Sequence, residues 1–124
     1  MIPRKQTGFR RLLNATGYSL AGLKAAWQNE AAFRQEIMAV IFLVPLAFWI
    51  GNNVVERVLL LLPCFIVIIT ELINSAIEAV VDRIGAEQHE LSKRAKDIGS
   101  AAVLVSIILL LVVWLLIGLE TFYT

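Results

Sequence analysis

Three stretches of the chain are almost free of polar side chains: Ile37 to Ile50, Val58 to Ile69 and Ile98 to Leu119. The third holds 22 residues without a charge, a strong sign of a membrane span, because ~20 apolar residues cross a hydrocarbon core. The first extends back to Ala31 and predicts a helix over 31–50, just long enough to span. Pro45 would kink this helix or lie near its far end. The second stretch continues past Ile69 in a different pattern. Between Thr70 and Arg83 the polar positions are Glu71, Asn74, Ser75, Glu78 and Asp82. Steps of three and four put them on one face of a helix and leave the other faces aliphatic. The whole predicts a helix over 55–84, starting near Val54 or Val55. At 1.5 Å per residue it is ~45 Å long, so its last turns emerge into water. A third span is predicted over 97–119, with Gly99, Ser100, Ala101 and Ala102 at its start allowing close helix approach. Gly51-Asn52-Asn53 reads as a turn and Gly85 to Lys96 as a polar connection.

Residues 8–28 follow another rule. Phe9, Leu12, Leu13, Thr16, Leu20, Leu23 and Trp27 form one helical stripe, and Arg10, Arg11, Asn14, Lys24 and Gln28 lie off it. This predicts an amphipathic helix lying in the headgroup zone, bent or closely contacted at Gly17 and Gly22. Residues 1–7 read as a short tail. Glu30 and Arg34, four apart, could pair. Trp49, Trp114, Phe122 and Tyr123 suit interfacial belts. The fold class is therefore an all-α membrane protein: one domain over 1–124, with a surface helix and three transmembrane helices.

Composition agrees. Of 124 residues 59% are hydrophobic and the mean hydropathy is +0.78, too apolar for a soluble domain of this size. A core so small closes poorly alone, so self-association is expected. A net charge of +1 gives no nucleic-acid footprint. The single Cys64 lies in an apolar run and reads as a buried bystander. No signal-peptide pattern opens the chain. Ten of the eleven Lys and Arg lie in the N-terminal segment or within 83–96, with Arg57 on the other side. The positive-inside rule then puts the N-terminus in the cytoplasm and the C-terminus outside.

That orientation gathers Glu30, Arg34, Glu36, Glu78, Asp82, Glu87, His89, Glu90, Lys96 and Asp97 at one membrane face, joined by Arg11 and Lys24. Carboxylates beside cations suit a metal-bound polyphosphate: magnesium takes a few hard oxygens plus substrate phosphates, and cations neutralise phosphoryl charge. Glu71 lies deeper, ~20 Å from Arg57 along the helix, and is suited to take a proton from a hydroxyl at headgroup level. Glu71 and Glu78, two turns or ~10 Å apart, could serve the acceptor and the metal phosphate separately. Plainer readings stand beside these. Glu71 could only hydrogen-bond a partner helix, Glu30 and Glu78 could pair with Arg34 or Lys96, and Asn74 could serve helix association. His89 is solvated or phosphate-adjacent rather than a metal ligand. The tryptophans fit anchoring better than substrate binding. No Walker or protein-kinase motif is present. A proton or cation conduit lined by Glu71, Glu78 and Asp82 is a non-enzymatic alternative, although Val58 to Ile69 offers no polar face.

The segment from Glu71 to Gly85, Glu-Leu-Ile-Asn-Ser-Ala-Ile-Glu-Ala-Val-Val-Asp-Arg-Ile-Gly, closely resembles the signature of the prokaryotic diacylglycerol kinase family. So do Asn29 to Glu36, His89 to Asp97 and Gly99 to Val103, in order along nearly the whole chain. The resemblance implies a homotrimeric kinase of the bacterial inner membrane, with sites shared between subunits. It would phosphorylate diacylglycerol to phosphatidate with ATP and Mg2+, with its C-terminus periplasmic; a related lipid alcohol, undecaprenol, is the alternative acceptor. It implies Glu71 as catalytic base with Asn74 beside it, and Glu30 and Glu78 as magnesium ligands. Arg11, Tyr18, Glu87, His89, Lys96 and Asp97 would contact the nucleotide. Arg11, Ser19, Lys24, Trp27, Arg34, Gln35, Glu36, Trp49, Arg57, Glu71, Ser100 and Trp114 would lie on the lipid side.

Overall fold

A computed structural model describes residues 7–85 and 89–123, so Glu87 and most of the expected N-terminal tail lie outside the described residues. Four helices follow in order: α1 (Gly8–Asn29), α2 (Ala31–Ile50), α3 (Val54–Ile84) and α4 (Glu90–Tyr123). The last three are long and apolar enough to cross a membrane. The chain is thus all-helical among the described residues, with α3 packed against both α4 and α2 and α1 meeting α2.

The break between α1 and α2 is a single extended residue, Glu30 (φ −120°, ψ 106°). Helix α1 ends there with carbonyls that have no helical partner. Arg34 supplies one: its Nη1 donates to the Trp27 carbonyl at 2.6 Å and lies 3.4 Å from that of Gln28. The Glu30–Arg34 pair does not form, because the guanidinium turns to the negative end of α1 instead. Pro45 sits inside α2, which continues to Ile50.

The α2–α3 turn is closed by local chemistry. Asn53 is the N-cap of α3 and accepts from the Glu56 N–H at 2.9 Å. The Glu56 carboxylate in turn accepts from the Asn52 N–H at 3.0 Å, a reciprocal arrangement close to a capping box. The Asn52 amide also donates to Thr121 of α4 at 3.3 Å, and Thr121 donates to the Ile50 carbonyl at 3.2 Å. Trp49 and Phe122 lie ring to ring at 5.8 Å. Gly51 is required here: a Cβ would lie 2.6 Å from Arg57 Cγ and 3.0 Å from the Ala47 carbonyl.

Helix α3 carries most of the interior. Leu60, Pro63, Cys64, Val67, Glu71, Asn74 and Val81 are its buried residues, one stripe at helical spacing. Pro63 has no N–H for the ladder. Next to it the Trp114 indole N–H of α4 donates to the Leu60 carbonyl at 3.0 Å. That indole is therefore a tie between helices. One turn inward of Val67, the Thr70 and Ser106 hydroxyls lie 3.0 Å apart, each also near a carbonyl of its own helix. Gly85, at φ 77°, ends α3 in the left-handed region that favours glycine.

Helix α4 differs from expectation. It begins at Glu90, not at 97, and continues past 119 to Tyr123. From Glu90 on, the charges that suggest a loop belong to the helix: Lys93 pairs with Asp97 at 2.7 Å and Arg94 with Glu90 at 3.7 Å, both four apart. His89 precedes them as a cap, its Nδ1 accepting from the Leu91 N–H at 3.0 Å.

Asn53→Ala should lower stability by about 1 kcal/mol, and Gly51→Ala by about 1–3 kcal/mol through forced displacement of Arg57. Thermal unfolding in detergent micelles would show a smaller fall in midpoint for the first than for the second.

Candidate active site

Two of the three buried polar side chains among the described residues lie in the stripe that packs α3. Glu71 is 5% exposed and Asn74 7%. Taking such groups from water is costly unless they are partnered. Asn74 Nδ2 donates to Glu78 Oε1 at 2.9 Å, one turn toward the Gly85 end of α3. Along α3 it stands between the two carboxylates, three positions after Glu71 and four before Glu78. Glu78 and Glu30 act on Glu71 through their charges, and Glu71 acts on Glu36. Four carboxylates from α2, α3 and the α1–α2 junction thus share one electrostatic neighbourhood.

A groove of about 650 Å³ runs between α1 and α3 beside this cluster. Its walls are apolar at Leu23, Leu72 and Ala79, with Ser19, Ser75 and Glu30 supplying polar points. Ser75 was not singled out for a role by its type. It lies in the 71–74–75–78 pattern, and its Oγ is buried without a partner. That periodicity was the available signal.

The remaining expected residues divide by position. Arg11, Tyr18, Ser19, Lys24 and Trp27 are exposed on α1, and Ser19 reaches the groove. Gln35 is exposed and Glu36 half-buried at the start of α2. Lys96 pairs with Asp82 at 2.7 Å, and Asp97 pairs with Lys93. His89 is exposed and caps α4, while Ser100 is exposed beside the buried Gly99. Trp49, Arg57 and Trp114 are not gathered here. They lie toward the opposite end of the helices, Arg57 fourteen positions or ~21 Å before Glu71 along α3.

No group of three or more metal-ligating side chains is assembled among the described residues. The oxygen donors present, Glu30 and Glu78, fit magnesium in one particular way. This ion commonly takes one or two carboxylates and completes its shell with water and substrate phosphates.

Comparison with known proteins bears on the same residues. A model of the family described as prokaryotic diacylglycerol kinase matches residues 17–118. A diacylglycerol kinase of Escherichia coli is 58% identical over 108 residues, covering 87% of this chain and 88% of that protein. One from Pseudomonas aeruginosa is 52% identical over 109 residues (88% and 89%), and one from Helicobacter pylori 46% over 113 (91% and 88%). The family match takes in α2, α3 and most of α1 and α4, including Glu30, Glu71, Asn74 and Glu78. With nearly full-length relatives at such identity, the chain belongs to the prokaryotic diacylglycerol kinase family.

Proposed function

We propose that this chain transfers the terminal phosphoryl group of ATP to the free hydroxyl of diacylglycerol, giving phosphatidate, with magnesium bound to the nucleotide. The observation that carries the reading is Glu71: a buried carboxylate on α3 whose neighbour Leu72 lines an apolar groove, with Glu30 on that groove's wall and Glu78 two turns further along α3. The names of the relatives, diacylglycerol kinases all, support the same acceptor. The reaction runs at the cytoplasmic face of a bacterial inner membrane, with the N-terminus cytoplasmic and the C-terminus periplasmic, as the basic residues argue. Helix α1 lies on that face as an amphipathic surface helix.

The residues divide the work by depth. A diacylglycerol enters along the α1–α3 groove with its chains in lipid and its hydroxyl toward Glu71. Glu71 accepts the hydroxyl proton as the oxygen attacks phosphorus. Asn74 keeps that carboxylate oriented. Glu30 and Glu78 would hold magnesium, which when bound neutralises charge on the phosphates. Arg11, Lys96 and His89 face the nucleotide. Lys96 exchanges Asp82 for phosphate at small cost, since partly exposed ion pairs contribute only ~0–1 kcal/mol. Exposed apolar faces on the spans, with Phe42, Leu62, Phe65 and Leu111 among them, suit association of three copies into a trimer with shared sites.

Three outcomes are expected. Purified protein with labelled ATP and magnesium should phosphorylate diacylglycerol in preference to monoacylglycerol and undecaprenol; a preference for undecaprenol would change the acceptor. Glu71→Gln should reduce turnover by about 10²–10⁴-fold or more, with the oligomer intact by size-exclusion chromatography; near-full turnover would end the base assignment. Glu30→Gln and Glu78→Gln should each raise the magnesium concentration for half-maximal rate, whereas an unchanged requirement would favour a purely structural role.

A further inference from the structure

Helix α4 meets α3 at a point where no side chain fits. Gly99 is buried, and a Cβ built on it would overlap Asn74 Oδ1 and sit 3.3 Å from Asn74 Cγ. The next neighbour, the tip of Ile77, is at 3.8 Å, an ordinary contact. The close approach is therefore to one side chain, and that side chain is Asn74. Its orientation follows from its partner. Asn74 Nδ2 donates to Glu78 Oε1 at 2.9 Å. A flipped amide would set its oxygen against a carboxylate oxygen, an acceptor facing an acceptor. Oδ1 must then face α4, where it is buried and has no hydrogen-bond donor. Only a glycine lets it stay there. The glycine hydrogen that stands in for Cβ is directed at Oδ1, the weak C–H···O contact found where helices approach closely.

From this we infer that Gly99 is a positioning residue for the phosphoryl-transfer site: its missing side chain is the seat that holds the Asn74 amide between Glu71 and Glu78. It acts through Asn74 and touches no substrate. This rests on the kinase reading above and goes beyond it, because α4 then sets the geometry of a magnesium-side carboxylate carried by α3. A methyl at 99 pushes Oδ1 away from α4. The amide must rotate or withdraw, and the hydrogen bond to Glu78 is lost. Other glycines do not share this constraint: a Cβ at Gly17, Gly22 or Gly118 would meet nothing within 4 Å.

The test is a double-mutant cycle of Gly99→Ala and Asn74→Ala in the full-length protein in micelles. Two readouts are used: binding of magnesium with a non-hydrolysable ATP analogue without lipid, and the kinetics of diacylglycerol phosphorylation. In the unsubstituted background Gly99→Ala should weaken magnesium-nucleotide binding by about tenfold or more, the worth of a hydrogen bond to a charged group. It should also lower kcat while leaving the KM for diacylglycerol within about twofold. In the Asn74→Ala background the same substitution should be nearly silent in both readouts. If Gly99→Ala does not assemble, the double variant should, because the overlap is gone. Additive losses in the cycle, or a double variant that also fails to assemble, would show that the space at 99 serves general helix packing and overturn the inference. Wild-type binding and turnover with a silent Gly99→Ala would overturn the inference and leave the kinase reading standing. Absence of any magnesium-nucleotide binding by the unsubstituted protein would sink the kinase reading and this inference together.

Discussion

A polar stripe has to share a helix face with the hydrophobic core, and the rest of the structure accommodates that demand. Leu60, Cys64, Val67, Glu71, Asn74 and Val81 succeed one another down the buried side of α3. The outer half of the stripe is ordinary aliphatic packing. The inner half carries a carboxylate and an amide at a depth where neither reaches water freely. Charged groups at membrane depth are expensive and face protein interior or a watery cavity. Here they face the protein interior: Asn74 is packed against α4, and Glu71 is buried on the same stripe.

The two ends of the bundle are built differently. At the outer end the chain is tied by Asn53 and Glu56 at the start of α3, by Asn52 to Thr121, and by Trp49 against Phe122. Trp114 and the Thr70–Ser106 pair continue that tie inward along α3 and α4. The inner end is held by exposed ion pairs, Lys93–Asp97, Arg94–Glu90 and Lys96–Asp82. Such pairs contribute little to stability and exchange partners readily. A firm outer clamp with a loosely paired inner rim suits a site that must admit and release a polyphosphate.

The arrangement of helices was largely legible because it follows from burial in lipid. A long apolar segment has one stable way to satisfy its backbone in a membrane, and α2, α3 and α4 are each long and apolar enough to use it. The start of α4 was misjudged because charge density was taken for loop character. Lys93, Arg94 and Asp97 are charged but spaced for helical pairing, and the pairing decides. The Glu30–Arg34 pair failed for a related reason. Sequence spacing brings two charges near each other but does not count the competing partners, here the carbonyls that end α1. Glu71, Asn74 and Glu78 were identifiable as one face from their spacing alone. What they touch on α4 was not.

The order of polar and apolar residues by itself determined that there are four helices, that three are long enough to span, and that Glu71, Asn74, Ser75 and Glu78 share a face. These are consequences of periodicity and backbone hydrogen bonding, which are local. The tertiary structure decided that Gly99 lies against the Asn74 amide, that Trp114 reaches the Leu60 carbonyl, that Lys96 takes Asp82, and that a groove opens between α1 and α3. Those contacts join residues far apart in the chain. They depend on how deeply one helix sits against another, and the periodicity of each helix alone does not specify that distance.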